Sequence, residues 1–270
     1  MPLPVVLTIA GSDNSCGAGA QADLKTISAL GGYALTAITC VVAEIPGKVS
    51  TIHPIPPEIV SEQIRLCFEA FPVAAVKTGM LYSRDIIQAV AGTLSECMRA
   101  SASRPRLVID PVMVATSGDP LLRDDAVALY RKELFPIAAL ITPNLDEVRT
   151  LLGRSVDSEV AMREAGLELA SSFGCAVLIK GGHLRQDVAV DYLVEGDRIE
   201  DYRAPFVPEV STHGTGCSYS AAIATELARG SSLRDSVAAA KKFVSRAITN
   251  YLRWERGGCT IDALHHFVPR

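Results

Sequence analysis

At 270 residues with 49% hydrophobic content and no composition break or low-complexity linker, the chain can bury one large core, and a single domain over residues 1–270 is expected. A formal net charge of −4 excludes a general electrostatic attraction to nucleic acid or to an anionic membrane, and no apolar run approaches the roughly 18 residues of a membrane span, so any phosphate site has to be local. The seven cysteines are scattered without a C-x-x-C pair and the opening Met1-Pro2-Leu3-Pro4 lacks a basic leader, which argues against structural zinc and fits reduced thiols in the cytoplasm.

In chain order, residues 5–10 form a short β-branched run that predicts a buried parallel strand. The glycine-rich segment 11–19 behind it is a loop at the strand's C-terminal end, where open α/β sheets bind ligands. Residues 20–30 have helical spacing up to Gly31-Gly32. Gly11, Gly17 and Gly19 do not match G-x-G-x-x-G, and no G-x-x-x-x-G-K-[ST] occurs, so neither a dinucleotide fingerprint nor a Walker loop is supported. Asp23, one turn into this helix, either complements the dipole or reaches a substrate. The run 33–43 predicts a second strand covered on both faces and ending at Glu44, with Pro46 and Gly47 breaking the chain; Glu44 either meets a ligand or is a solvated loop tip. Helices over 57–71 and 85–99 flank a strand over 74–80, in which Lys77 either snorkels or reaches a phosphate.

Residues 107–109 deliver Asp110 to a strand end that Pro111 closes. A turn over 116–120, a helix over 124–133 and a strand over 138–142 follow, the last feeding a helix that carries Glu147. Asp110 and Glu147 on one rim are hard oxygen ligands that suit magnesium held with water and substrate phosphates; each alone is a cap or an ion-pair partner. A strand over 176–180 ends in Lys180, and residues 188–194 and 199–204 read as a hairpin. The polar stretch 211–220 then places Gly214 and Gly216 where a loop feeds a helix over 221–228, so that unpaired backbone N–H groups and the positive end of the macrodipole face an anion. Cys217 falls at or near the first turn, a setting that lowers a thiol pKa and allows it to accept a proton; alternatively the two glycines only shape a tight turn and Cys217 is a small buried filler. The last long helix is expected over 233–254, with Trp254 packed rather than stacked on a ligand, and His265-His266 either a solvated tail or in touch with a ligand or metal.

Gly11-Ser12-Asp13 with the segment 17–25, Lys77-Thr78-Gly79-Met80, Asp110-Pro111-Val112-Met113, the segment 117–122, Thr142-Pro143-Asn144-Leu145 with Glu147, the segment 180–183 and the segment 212–217 occur in order over residues 5–255. Together they closely resemble the hydroxymethylpyrimidine/phosphomethylpyrimidine kinases of thiamine biosynthesis, members of the ribokinase superfamily alongside the pyridoxal kinases. The resemblance implies an α/β, ribokinase-like three-layer sandwich with a central, mostly parallel sheet flanked by helices. It implies ATP and Mg2+ as cosubstrate and cofactor, commonly a homodimer, and two successive phosphoryl transfers: to 4-amino-5-hydroxymethyl-2-methylpyrimidine, then to its monophosphate.

Carried over by position, the resemblance assigns Gly214, Thr215, Gly216, Cys217 and Lys180 to catalysis, with Cys217 in the place of the superfamily's usual aspartate base. It assigns Gly11, Asp23, Val42, Glu44, Met80 and Val112 to the pyrimidine, Asn144, Lys180, Gly182 and His213 to the nucleotide, and Asp110 and Glu147 to the metal. Two positions depart from the family pattern. Cys16 stands where a glycine is common, and Glu44 stands where a glutamine usually grips the ring. Glutamine donates and accepts, whereas ionised glutamate only accepts, so Glu44 is either protonated or pairs with a protonated aminopyrimidine. The alternatives are pyridoxal kinase activity on the same scaffold and a catalytically silent nucleotide-binding regulator.

Overall fold

Strand β1 (Val5–Ala10) is buried along its whole length because successive side chains enter two different layers. Val5, Leu7 and Ile9 face one core, whereas Val6 faces the other. The computed structural model describes residues 3–113, 124–182, 184, 187–208, 210 and 213–268. The turn expected over 116–120 and the residues His183, Ser211 and Thr212 lie outside them.

Around β1 the chain builds an eight-stranded sheet in the order β10-β9-β8-β7-β6-β5-β1-β2. Its parallel part is β1, β2 (Tyr33–Ile38), β5 (Val73–Thr78), β6 (Arg106–Ile109), β7 (Leu140–Ile141) and β8 (Ala176–Lys180). The antiparallel edge is the hairpin β9 (Val188–Glu195) and β10 (Arg198–Pro205). Helices α1 (Gly19–Ala29), α7 (Thr215–Ala228) and α8 (Leu233–Thr249) cover one face. Helices α2 (Pro57–Ala70), α3 (Arg84–Ala100), α4 (Asp124–Leu129), α5 (Leu145–Leu152) and α6 (Glu159–Phe173) cover the other. This is the three-layer sandwich expected. Because β1 and β5 to β8 all run the same way, their following loops meet at one edge.

Four expectations are corrected. The run 33–43 is not one strand: after β2, Thr39 donates its hydroxyl to Met80 O at 2.7 Å, and the chain leaves the sheet. Strand β3 (Cys40–Ile45) then pairs antiparallel with β4 (Lys48–Pro54), reversing at Gly47. Glu44 therefore sits near the tip of a projecting hairpin. The helix over 124–133 ends at Leu129 and continues through a π-turn (Tyr130–Leu134) and a 3-10 turn (Phe135–Ile137). The helix over 233–254 stops at Thr249, and Trp254 lies on an exposed hairpin of β11 (Leu252–Arg256) and β12 (Cys259–Ala263), 54% accessible rather than packed.

The fourth correction is His266, which is buried rather than solvated. Its Nε2 lies 2.9 Å from Ser218 Oγ in the first turn of α7, and burial lowers its pKa to about 4, so it stays neutral there at pH 7. The C-terminal tail thus braces the helix on which Cys217 sits. Helix α6, absent from the sequence-based elements, is nevertheless well signalled by its Ser158 N-cap and by Gly174 in the left-handed conformation at its end.

Candidate active site

Loops from the C-terminal ends of β1, β5, β6, β7 and β8 converge with the start of α7 on one cavity of about 500 Å³, within the range of small-molecule sites. Sheet order spreads its walls. Gly11, Val42, Glu44, Met80 and Val112 line the end beside β1 and β5; Asp110, Asn144, Glu147, Lys180 and Gly214 to Cys217 line the middle. Gly182 and His213 are also in the wall.

The first loop is organised by Asp13, which the sequence reading did not single out. Its Oδ1 accepts from Ser15 N at 2.7 Å, and its Oδ2 accepts from Gly17 N at 3.1 Å and Ala18 N at 2.7 Å. Burial alone would raise this carboxyl, but hydrogen bonds from His213, Ser15 and Ala18 win and hold it far below the usual range. An Asp followed by small polar residues and glycine is the available signal, since such side chains bond the backbone just beyond them. The hairpin is tied to the same loop. Val42 N donates to Ser12 Oγ at 3.3 Å and Glu44 N to Asn14 Oδ1 at 2.6 Å. Glu44 is half-buried, and burial, aided by Asp13 and opposed by His213, raises its pKa.

Cys16 has φ 59, a left-handed conformation that costs an L-residue roughly 1–2 kcal/mol. Cys16→Gly should therefore stabilise the protein by about 0.5–1 kcal/mol after the greater entropy of an unfolded glycine is subtracted. A urea midpoint that rises at constant slope is the expected reading; a lower midpoint contradicts it.

The second loop closes against the first. Gly214 has φ +80, and a Cβ there would stand 1.8 Å from Gly17 O, so only glycine fits. His213 Nε2 lies 3.3 Å from Asp13 Oδ2, joining the loop ahead of α7 to the loop ahead of α1. Two helix N-termini consequently open into the same cavity. The hydroxyl of Thr215 and Nδ1 of His213 are buried there without a partner among the described residues, the condition of groups that await a polar ligand.

Lys180 and Asp110 form the charged centre. Lys180 Nζ donates to Asp110 Oδ1 at 2.9 Å, with both side chains largely buried. Burial would lower the lysine's pKa, but Asp110 and Glu147 raise it overall. A Cβ on Gly216 would lie 3.1 Å from Lys180 Nζ and 3.3 Å from Asp110 Oδ2, so the bare backbone of α7 is what admits this pair. Glu147 is more committed than expected. Its Oε2 accepts from Asn144 N at 2.8 Å and Oε1 from Met113 N at 3.3 Å, while Asn144 Oδ1 caps Glu147 N at 2.9 Å. Burial pushes the Glu147 carboxyl up, with Lys180 opposing.

No cluster of three or more His, Cys, Asp or Glu side chains able to enclose a metal occurs among the described residues. The donor set still fits magnesium, which takes one or two carboxylates and completes its shell with water and phosphate. Among the described residues, Ser220 Oγ at 3.4 Å is the hydrogen-bond donor to Asp110 Oδ2.

Two assignments change. Asp23 is not in the cavity wall: it is 0% exposed, its Oδ2 2.8 Å from Lys77 Nζ and 2.5 Å from Thr8 Oγ1. Lys77 accordingly neither snorkels nor reaches a phosphate; it points into this buried pair. Cys217 does not have a lowered pKa. Burial raises it to about 11 against the pull of Lys77 and of the Gly19 N–H, so the helix N-terminus loses to desolvation and the group rests as a thiol.

The sequence also gave no sign of the cavity's far end. There Ala189, Ala204, Phe206, Val244 and Ile248 form an apolar slot bordered by Asp191 and Lys241, whose charged atoms are 2.6 Å apart. Asp191 Oδ1 in addition accepts from Gly181 N at 3.1 Å, directly after Lys180. These residues come from β9, β10 and α8, and no local motif joins them.

Comparison with known proteins agrees with this architecture. A family model described as phosphomethylpyrimidine kinase matches residues 13–262. A hydroxymethylpyrimidine/phosphomethylpyrimidine kinase of Rhizobium meliloti is 43% identical over 264 residues, covering 97% of each chain. The thiamine biosynthesis bifunctional protein ThiED of Geobacter sulfurreducens is 43% identical over 247 residues, which are 92% of this chain; the chain spans about half (49%) of that longer protein. Among solved structures, an ADP complex of Bacillus subtilis pyridoxal kinase superposes with a TM-score of 0.87 at 34% identity, covering 98% of each chain. The chain belongs to the phosphomethylpyrimidine kinase family.

Proposed function

We propose that this enzyme transfers the terminal phosphoryl group of ATP to the hydroxymethyl oxygen of 4-amino-5-hydroxymethyl-2-methylpyrimidine and then a second one to the resulting monophosphate, providing the pyrimidine half of thiamine diphosphate. The observation that carries the reading is the convergence of Cys217, the Lys180–Asp110 pair and the Gly214–Cys217 backbone on one cavity of about 500 Å³. Adenine fits the slot, the triphosphate runs past Lys180, and its terminal group meets the N-terminus of α7. Asp110, with Glu147 acting through water, would hold magnesium, which supplies charge neutralisation to the phosphates. Incubation of the purified protein with ATP and the pyrimidine alcohol, followed by phosphorus NMR, should yield the monophosphate and then the diphosphate. Absence of both, with ATP intact, removes the proposal.

Phosphoryl transfer depends chiefly on positioning and charge stabilisation, so Lys180 and the loop amides carry most of the work. Gly11, Val42, Met80 and Val112 sandwich the ring, and Glu44 reads its edge. Ring and Glu44 share one proton in the complex: either ionised Glu44 faces a protonated ring, or neutral Glu44 a neutral ring. We favour the first form. Once pH exceeds both free pKa values a proton has to be taken up on binding, so Kd rises about tenfold per pH unit. Calorimetry should show that slope in the wild type and a nearly flat line in Glu44→Gln, whose amide donates and accepts at every pH. An unchanged profile in the variant contradicts this role.

A second reading has one specific support. The Bacillus subtilis pyridoxal kinase shares the whole scaffold. Comparison of kcat/KM for the pyrimidine alcohol and pyridoxal separates the two, and we expect the pyrimidine to be preferred. We further infer a homodimer in the cytoplasm. Val41, Ile45 and Val49 are about half exposed on the projecting hairpin, an apolar surface suited to its own copy, and all seven cysteines are free thiols. Light scattering should return twice the chain mass; a monomer at micromolar concentration removes the dimer.

A further inference from the structure

Beneath the cavity floor lies an ion pair that the proposed reaction does not use. Lys77 and Asp23 are both 0% exposed, and their charged atoms are 2.8 Å apart. Thr8, opposite Lys77 in the β1–β5 register, gives its hydroxyl to the same Asp23 oxygen. The lysine's terminus lies close to the chain at Gly79, where a Cβ would stand 2.7 Å from Nζ, so its charge is held at the C-terminal edge of β5. Helix α7 packs on both α1 and β5, the two elements that carry the pair. Asp23 Oδ1 and, one turn further along α1, Thr26 Oγ1 are buried without a partner among the described residues, so this layer is polar beyond what the pair itself satisfies.

Stability does not account for such an arrangement. Taking both charges out of water costs about as much as their attraction returns, and apolar residues of equal volume commonly serve as well or better. The charge has one reactive neighbour. Cys217, in the first turn of α7, lies within electrostatic reach of Lys77, Asp23 and Asp110. Lys77 in turn is faced by Asp23, Cys217 and Asp110, and Asp23 by Lys77, Thr8 and Asp110. The anions raise Lys77's pKa far above its ordinary value despite burial, so it remains a cation at every working pH.

We infer that Lys77 and Asp23 are positioning residues for the proton acceptor, the ammonium stabilising the Cys217 thiolate and the carboxylate restraining it. This rests on the reading of Cys217 as the group that takes the alcohol's proton. In the resting enzyme burial keeps most of the sulfur protonated, and the form that acts is the small thiolate fraction that has already given its proton to solvent. When the hydroxyl attacks phosphorus, the O–H bond breaks, the P–O bond to the leaving ADP opens, and the proton passes to a thiolate whose charge Lys77 already faces. Asp23 keeps that ammonium from making the thiolate so stable that it is a weak base.

The test is the rate of iodoacetamide alkylation of Cys217 at pH 9 in the full-length protein, followed by mass spectrometry of the peptide that contains it. An opposite charge a few ångströms away moves a pKa by about one unit or more. Lys77→Met should therefore slow alkylation about tenfold, and Asp23→Asn should speed it about tenfold. A purely structural lesion would not move the two variants in opposite directions. Should Lys77→Met fail to fold, the neutral pair Lys77→Met with Asp23→Asn takes its place and should react more slowly than Asp23→Asn alone. Rates that shift together, or remain at the wild-type value, overturn the inference. Alkylation requires neither ATP nor the pyrimidine, so failure here is distinguishable from failure of the proposed kinase activity.

Discussion

Cys217→Ala should slow phosphorylation of the alcohol by about 10²–10³ while slowing phosphorylation of the monophosphate less than about tenfold. The asymmetry follows from the two acceptors. An alcohol loses its proton only as the new bond forms, whereas a phosphomonoester with a second pKa near ~6 has largely lost its own at neutral pH. Because the thiol titrates at about 11, the thiolate is a small fraction at pH 7 and grows with pH. The wild-type rate for the alcohol should therefore climb between pH 7 and 9, and the variant's should be flat. Single-turnover measurements on both acceptors decide the matter; equal losses on the two would show that Cys217 is not the acceptor of the proton.

Lys180→Met should lower kcat for both transfers by about 10²–10³, corresponding to roughly 3–4 kcal/mol of lost charge stabilisation. Here no asymmetry is expected, since the lysine acts on the phosphoryl group common to both steps. Its removal also strips Asp110 and Glu147 of the cation that each of them faces. Uncompensated buried charge of this kind costs about 3–5 kcal/mol, so the variant should melt earlier as well. Steady-state kinetics beside a melting curve separates the effects: at a temperature where the variant is fully folded, the kcat loss should persist. A loss under tenfold in the folded variant contradicts the role of Lys180.

What was legible in the sequence was whatever local chemistry controls. The apolar run at Val5–Ala10, the loop behind it, Asp110 after Ile109 and Lys180 ending β8 were all read from strand-plus-terminus patterns, and the structure has them at one rim. Gly214 and Gly216 were expected to let a ligand approach the backbone; what each missing side chain admits is the protein itself, the backbone of Gly17 at Gly214 and the Lys180–Asp110 pair at Gly216. The misses are of two kinds. Where Thr39 turns the chain out of the sheet, the apolar pattern of residues 40–45 is equally suited to a buried strand and to one side of a projecting hairpin, so periodicity could not tell them apart.

The other kind is tertiary. Asp23 and Cys217 were each given the environment of a helix start, yet each is dominated by depth: the former meets Lys77 from 54 positions away, and the latter is desolvated by elements distant in sequence. The same holds for Asp191, Lys241 and the apolar slot, assembled from β9, β10 and α8. Capping, by contrast, was among the alternatives read for Glu147. Asn144 and Glu147 form a reciprocal cap on α5, which draws the glutamate's oxygens toward backbone N–H groups and away from direct service to a metal.

The central claim is that loops of distant origin hold a nucleotide's terminal phosphate against a small aromatic alcohol, and a structure of the protein with the pyrimidine alcohol and a non-hydrolysable ATP analogue tests it most directly. The account predicts the hydroxymethyl oxygen about 3–3.5 Å from the terminal phosphorus, with that phosphate on the amides of Gly214 to Cys217 and Lys180 beside it. A pyrimidine bound away from Glu44 and Met80, or a terminal phosphate directed away from α7, would contradict it.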